Sequence, residues 1–416
     1  MSDERVFGMK AETGRWTFVL LGLLMNICLG AVYAFSVFKT PLRDLWGITA
    51  TQSGLPFMIF LAMFAVFMAL AGGLVSKWGP RKTGLLGGVL VGAGWILAGF
   101  ASNITWLTLF YGVIGGAGVG IIYGCPIAVS AKWFPDKKGL AVGLTVMGFG
   151  LSALIMAPLM RSMIANPGIG ALRTFTYLGI AFLAILMLLS LPLRNPRQGW
   201  MPAGWSPKKG VASSGSIDLD RGRMVRTGSF YALWTTYTIG CLAGLMAIGI
   251  SSPVGEEVAR LTPSVAALSV SVFAIFNGLG RPVFGWLTDK LTPRYAAALS
   301  FVLILAASAL IYLWGAGSTV IYFISFIVLW ANLGGWLAIA PTATATLFGP
   351  SHYAKNYGLV FTSYGVGALL GNTLAGMIRD ASGGYLPVFL PVMGLAALGL
   401  VVSLLWLKPV RLANKS

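Results

Sequence analysis

Charged residues are scarce in this chain. Of its 416 residues, 10% are charged and 57% are hydrophobic, and the mean hydropathy is +0.83. An ordinary soluble domain has about 25% charged residues, so this composition excludes a water-soluble globular protein and indicates an integral membrane protein. With one histidine, three cysteines and no CxxC motif, the sequence offers no metal cluster. We predict no metal, no cofactor and no enzymatic activity.

Acidic residues are scarcer still, with 11 Asp and Glu against 29 Lys and Arg and a net charge of +18. If both termini lie in the cytoplasm, 22 basic residues fall on that side, 6 fall on the other, and Arg281 remains. This asymmetry is the positive-inside pattern. The basic excess therefore indicates topology and contact with lipid headgroups, not nucleic-acid binding. We predict a multi-pass protein of the cell inner membrane with both termini cytoplasmic.

Apolar runs long enough to cross a bilayer, about 20 residues each, recur along the whole chain. A polar stretch rich in Pro, Gly, Ser and basic residues, 194–228, divides them six and six. We therefore predict an N-terminal six-helix bundle (1–193), a cytoplasmic linker (194–228) and a C-terminal six-helix bundle (229–416). The twelve runs are 16–38, 54–75, 83–101, 106–130, 139–163, 175–193, 229–250, 265–287, 296–314, 320–342, 357–378 and 385–406.

The two halves of the sequence look alike. "GGLVSKWGPRK" (72–82) follows the second run, and "GWLTDKLTPR" (285–294) follows the eighth. Two parallel repeats of six helices are the layout of a transporter whose binding site lies between the halves. We therefore predict an all-α membrane fold of twelve helices, built from two such repeats.

One cation lies inside an apolar run. The stretch "VSVFAIFNGLGRPVFGWLTD" (270–289) carries Arg281, six residues before Leu287. A charge within a span is usually functional or paired. The alternative is snorkelling, in which the long side chain reaches the membrane surface. We favour a functional role because small and polar residues share the helix face of Arg281, namely Ala274, Asn277, Gly278 and Gly285.

The chain offers Arg281 no acidic partner within the spans, since all eleven Asp and Glu residues fall in or next to predicted loops. We therefore predict that the partner is a substrate anion. A guanidinium matches a carboxylate with two parallel hydrogen bonds, and a single positive charge best suits a monoanion.

Mid-span aromatic residues are candidates for the rest of a substrate pocket, because they lie beside small residues in several runs. Their rings would enclose a small, partly apolar acid, and a phenol hydroxyl would donate a hydrogen bond. Ordinary packing is the alternative role for such residues. We also expect Asn277 to orient Arg281 or to contact the substrate. The aromatic candidates are Tyr33, Tyr123, Phe149, Phe361 and Tyr364.

The two loop motifs resemble the major facilitator superfamily signature GxLxDxxGxR. The second copy keeps Asp289, whereas Ser76 replaces the acid of the first copy and Thr292 replaces the glycine of the second. "WFPDKKGLAVGLTVMGFG" (133–150), "NGLGRP" (277–282) and "YAKNYGLVF" (353–361) resemble the branch that contains monocarboxylate transporters and oxalate–formate antiporters. The resemblance covers nearly the whole chain.

The resemblance implies that Arg281 is the carboxylate-binding arginine of the eighth helix. Oxalate exchangers have a second cation where this chain has Tyr364, which disfavours a dicarboxylate. Animal monocarboxylate transporters have an aspartate, linked to proton coupling, where this chain has Asn277. They also have a lysine in helix one, just after a segment like "YAF" (33–35), where this chain has no basic residue. For the charged residues of the signature motifs, the resemblance implies a conformational role: Asp289, Arg81 and Arg294.

These observations predict a monomeric, proton-coupled symporter of short monocarboxylates such as lactate or pyruvate. The expected partners are the substrate anion, the proton and membrane lipids. Glu256 and Glu257 are candidates for proton coupling. Alternatively, the proton moves with the substrate or through water. Anion-for-anion exchange is the second hypothesis because it requires only the arginine. A sensor or a membrane enzyme is disfavoured, since neither a large soluble domain nor a catalytic cluster is present in the sequence.

Overall fold

The computed structural model describes residues 5–197, 200–202, 218–349 and 352–408. These parts of the chain are helical except for a two-stranded hairpin at the start, β1 (Arg5–Val6) and β2 (Met9–Lys10). The helices are α1 (Ala11–Gly14), α2 (Trp16–Leu29), α3 (Ser36–Trp46), α4 (Ala50–Ala98), α5 (Ile104–Leu107), α6 (Gly116–Trp133), α7 (Lys138–Ala165), α8 (Gly170–Ser190), α9 (Arg221–Met224), α10 (Gly228–Glu257), α11 (Pro263–Trp314), α12 (Thr319–Phe348), α13 (Tyr353–Val360), α14 (Thr362–Ser382) and α15 (Phe389–Trp406).

Two of these helices each contain two predicted spans joined at one sharply turned residue. The turn in α4 is at Gly79 (φ 77°, ψ 169°), and the turn in α11 is at Thr292 (φ 73°, ψ 156°). A proline follows each turn and starts the next helical segment, where its missing N–H is not needed. In the described residues, nine helical segments are long and apolar enough to cross a membrane, and one of them is the whole of α11. The predicted all-α fold is confirmed.

The near end, defined here as the end of the bundle where the chain starts and finishes, is held by contacts between distant residues. Arg15 forms a bidentate ion pair with Asp136, with N–O distances of 2.6 and 2.8 Å. This hydrogen-bonded guanidinium holds the pKa of Asp136 below its usual value. In the second half, the Asn356 side chain donates to the Leu219 carbonyl. Each half is thereby tied to the segment that precedes its first span.

The far end, opposite the near end, is closed by contacts between the two halves of the chain. Arg43 at the end of α3 pairs with Glu257 at the end of α10, with an N–O distance of 3.2 Å. Asp380 of α14 accepts hydrogen bonds from the backbone N–H groups of Ala50 and Thr51. It therefore caps the N-terminus of α4, where the helix dipole favours a negative charge. Closure of the far end satisfies donors that the first turn of α4 would otherwise leave free.

The contact of α4 with α14 and α13, which joins the halves, loosens from the far end to the near end. A methyl group added at Gly376 would clash with the Thr51 Cα atom. Added at Gly365, near the start of α14, it would lie 2.9 Å from the Ala65 Cβ atom, and at Gly358 of α13 it would lie 3.9 Å from the Ala69 Cα atom. The halves are therefore packed backbone to backbone at the far end and more loosely toward the near end.

The division into two bundles at residues 194–228 stays a prediction, and residues 198–199 and 203–217 of that linker lie outside the described residues.

We predict that Thr292→Gly stabilises the protein by about 1 kcal/mol. A β-branched residue is strained at φ 73°, whereas glycine adopts this backbone conformation freely, and the relief exceeds the entropy that glycine loses on folding. The measurement is thermal unfolding in detergent. The matched substitution Gly79→Thr at the equivalent turn of α4 is expected to lower the unfolding temperature. Equal unfolding temperatures for the wild type and Thr292→Gly would contradict the strain.

Candidate substrate-binding site

Arg281 lies on α11 with its side chain directed at the first half of the chain. Its Nη1 atom donates a hydrogen bond to the Val146 carbonyl of α7, at 2.9 Å. None of the ion pairs between described residues includes Arg281. The guanidinium is therefore held between the halves by a neutral backbone carbonyl, so its charge is not neutralised there by a carboxylate of the described residues.

Two donor atoms of the same guanidinium are buried without a hydrogen-bond partner in the described part of the chain. These atoms are Nε and Nη2, which form one edge of the planar group. That edge presents two parallel N–H bonds, the geometry that a carboxylate accepts with both oxygens. Leaving such donors buried and unpaired is unfavourable, so the edge is suited to an anionic ligand.

Aromatic residues from both halves surround this edge. Phe149 packs edge-to-face against Tyr33 and Tyr123, with ring centroids 5.0 and 5.4 Å apart. The rings of Phe361 and Tyr364 stack at 5.0 Å, and the Tyr123 hydroxyl lies next to the guanidinium. The cavity is lined by Tyr33, Phe64, Tyr123, Phe149, Arg281, Leu337, Phe361 and Tyr364.

A hydrogen bond between two tyrosines, one from each half, crosses this cavity. The hydroxyl groups of Tyr33 and Tyr364 are 2.8 Å apart, and both residues are buried. One hydroxyl donates and the other accepts, so the pair retains one further hydrogen and additional lone pairs. The cavity therefore contains neutral hydrogen-bonding groups beside one cation.

Local backbone features place two of these aromatic residues. Tyr33 lies in a 3-10 segment, Gly30–Ala34, which connects α2 to α3. A Cβ atom at Gly30 would lie within 3 Å of the Phe149 backbone, so only glycine allows α7 to approach this closely. This contact brings Phe149 against Tyr33.

The cavity is contracted. It leaves about 10 Å³ for the centre of a water-sized sphere, which is enough for roughly one water molecule. A three-carbon acid needs more room than this, so the cavity as it stands does not hold one. The packing between the halves is looser toward the near end than at the far end.

The structure brings six of the predicted substrate-binding residues to one cavity and places the seventh, Asn277, elsewhere. Its side-chain amide donates to the Trp330 carbonyl of α12 at 3.1 Å. Its Oδ1 atom is buried without a partner and lies near Gly150 of α7. Asn277 therefore lies where α7, α11 and α12 pack, outside the lining of the cavity.

The two candidate proton-coupling residues lie together at the far end. Glu256 accepts hydrogen bonds from the hydroxyl groups of Thr40 and Ser252. Glu257 pairs with Arg379 as well as with Arg43. Both acids therefore take part in the closure of the far end, and their role in proton coupling stays a prediction.

The predicted conformational residues lie around the two turns. Arg81 and Asp289 are exposed, and Arg294 is half-buried with its guanidinium 5.3 Å from the Tyr295 ring centroid. No ion pair between described residues includes any of the three. Their conformational role also stays a prediction.

Two lining residues, Phe64 and Leu337, were not among the sequence candidates. Phe57, Phe60 and Phe64 recur at helical spacing and are all buried, so this periodicity was the available signal for Phe64. Leu337 carries no comparable signal, because an isolated leucine in an apolar span is equally expected to face lipid.

Comparison with known proteins decides the family. A model described as Major Facilitator Superfamily matches residues 19–331 and 235–416. The chain belongs to this superfamily. It is therefore a multi-pass membrane transporter and not an enzyme, as the sequence predicted.

Among curated relatives, the superfamily member "Oxalate:formate antiporter" of Oxalobacter formigenes is 30% identical over 89% of this chain and 86% of its own length. "Monocarboxylate transporter 13" of Rattus norvegicus is 27% identical over 94% and 88%.

Solved structures of the superfamily share the fold. A bacterial homologue of the human lysosomal transporter Spinster, in an inward-facing and unoccupied conformation, aligns with a TM-score of 0.70 at 17% identity over 94% of each chain. A mutant of the nucleoside transporter NupG aligns with a TM-score of 0.73 at 14% identity, over 94% of this chain and 100% of its own. At these identities the likeness shows the fold alone.

We predict that Tyr33→Phe and Tyr364→Phe each lower the free energy of unfolding by about 1 kcal/mol, because each removes the hydrogen bond that crosses the cavity. The double variant should be no less stable than either single variant, since both remove the same bond. The measurement is thermal unfolding of all three, with the exposed Tyr295→Phe as control. Additive effects would contradict a direct bond between the two hydroxyls.

Proposed function

We propose that this protein transports short monocarboxylates by alternating access, with Arg281 binding the carboxylate. The observation that carries the proposal is the guanidinium edge, Nε and Nη2, which is buried without a partner among the described residues, in a cavity lined by both halves. The relatives named for oxalate, formate and monocarboxylates support an organic anion as the substrate.

The charge of the cavity supports a monoanion. Among the described residues, Arg281 is the one charged residue in its lining, and Tyr364 lies where the resemblance to oxalate exchangers predicts a second cation. A monoanion neutralises the guanidinium, whereas a dianion leaves one negative charge in a surrounding of low dielectric constant, where an unpaired charge is costly. The aromatic rings suit the short apolar part of an acid such as lactate or pyruvate.

The two ends of the molecule supply the gates of the proposed transport cycle. The far end is closed by the Arg43–Glu257 ion pair and the Asp380 cap, while the packing of α4 against α14 and α13 is looser toward the near end. We assign the near end, with both termini, to the cytoplasm of a bacterial cell because basic residues concentrate there. A monomer has both halves of the cavity, so one chain suffices for transport.

Proton-coupled symport is the coupling that we propose, and anion exchange is the second candidate. The likeness to the oxalate:formate antiporter favours exchange, which needs only Arg281. Symport needs a path for the proton, which can move with the substrate, through water or on a protein group that binds and releases it. Glu256 and Glu257 are candidates for such a group because they are acids at the end that must open and close.

We predict that Arg281→Ala weakens binding of a short monocarboxylate at least about 100-fold, because two charge-assisted hydrogen bonds of about 1.5 kcal/mol each are lost. Arg281→Lys should bind with intermediate affinity, since an ammonium keeps the charge without the two parallel donors. The measurement is calorimetric titration of purified protein with lactate. The exposed Arg173→Ala is the control and should bind like the wild type. Wild-type affinity in both Arg281 variants would contradict the anchor.

Symport and exchange are separated by uptake into liposomes that contain no internal anion. Under an imposed pH gradient, acidic outside, we expect labelled lactate to accumulate above its external concentration. A strict exchanger accumulates nothing until the liposomes are preloaded with an anion. Uptake that requires preloading would replace symport with exchange while leaving Arg281 as the binding residue.

A further inference from the structure

A second basic side chain is buried in the contact region of the far end and takes no part in the cavity around Arg281. Lys39 lies on α3, and its exposed fraction is 1%. In the sequence it directly follows the first apolar run, 16–38, and the structure places it inside a helix. Its Nζ atom would lie 3.3 Å from a Cβ atom at Gly54 of α4, so the glycine makes room for the amine.

No carboxylate of the described residues lies within ion-pair distance of Lys39. The charged groups on the surrounding elements are engaged elsewhere or lie farther away. On α3 itself Arg43 repels the ammonium, and Asp380 of α14 attracts it without reaching it. The neighbouring helices contribute Arg161 on α7, Arg173 on α8, and Glu256 and Glu257 on α10.

Burial disfavours the charged form of a lysine. Lys39 lies beyond the candidate span Ala11–Ala34. Burial, together with repulsion by Arg43, lowers its pKa to about 7, and attraction by Asp380 only partly offsets these two effects. When the halves separate at the far end, water reaches the amine, and its pKa returns toward the usual value of about 10.4.

We propose that Lys39 is a proton-binding site that links the opening of the far end to pH. Lys39 is a protonated ammonium when the far end is open and hydrated, and it releases the proton as the far end closes around it. The inference rests on alternating access but not on the identity of the substrate. It assigns proton binding to a residue other than the acids Glu256 and Glu257.

The sign of the pH dependence follows from the pKa of Lys39, which is lower when the far end is closed than when it is open. Below about pH 7 Lys39 is protonated in both states, so the ratio of closed to open far ends does not change with pH. Between about pH 7 and about pH 10 closing releases one proton, and the ratio rises about tenfold per pH unit. Alkaline solution therefore closes the far end, and acidic solution opens it.

The test is a distance measurement by electron spin resonance between labels at the far ends of the two halves. The labels are attached to Ser102→Cys and Thr319→Cys, both exposed, in a chain whose three natural cysteines are replaced by serine. The wild type should change from open to closed distances as pH rises above about 7. Arg173→Met, which removes an exposed far-end charge, is the matched control and should keep this change.

Two substitutions at Lys39 fix its charge in opposite ways. Lys39→Met imitates the neutral amine and should keep the far end closed at every pH. Lys39→Arg is permanently charged and should shift the far end toward open at every pH. A wild-type pH profile in either variant would overturn the proposal. So would a pH profile that disappears in Glu256→Gln but persists in Lys39→Met, because Glu256 would then be the titrating group.

The same data separate this inference from the proposed mechanism. Open and closed distances that interconvert without any dependence on pH would overturn the role of Lys39 and leave alternating access intact. A single closed distance in every variant, at every pH and with added lactate, would contradict alternating access itself.

Discussion

The structure is organised around one cation that the described part of the protein does not neutralise. Arg281 lies where the two halves meet, bonded to a backbone carbonyl of α7, with one edge of its guanidinium buried and unpaired among the described residues. A charge in this position is costly without a partner. In the proposed mechanism, substrate binding and the approach of the halves are favourable together, because the anion removes the charge that closure would bury.

The packing explains how the halves can move around this cation. Glycines let α4 and α14 touch backbone to backbone at the far end, and Asp380 of one half completes the first turn of α4 in the other. The Asp380 hydrogen bonds are polar and partly exposed, so water can replace them when they break. The Arg15–Asp136 pair lies within one half, and its contacts do not need to break during such a movement.

Composition and periodicity predicted the fold class, because an apolar run of about 20 residues has few alternatives to a membrane helix. The two copies of the repeated motif contain the equivalent turns at Gly79 and Thr292. Arg281 was identifiable because a cation in an apolar run is rare. Asn277, one turn away, was assigned to the same cavity because helical spacing gives the face of a residue but not its neighbours on α7 and α12. Lys39 was not among the sequence candidates because a charge at the end of an apolar run usually marks its boundary.

The most direct test of the central claim is an experimental structure of the protein with lactate bound. The account predicts that the two carboxylate oxygens lie about 2.7–2.9 Å from Nε and Nη2 of Arg281, between the aromatic rings of both halves. A lactate bound away from Arg281, or a guanidinium edge paired with one of the protein's own carboxylates, would contradict it.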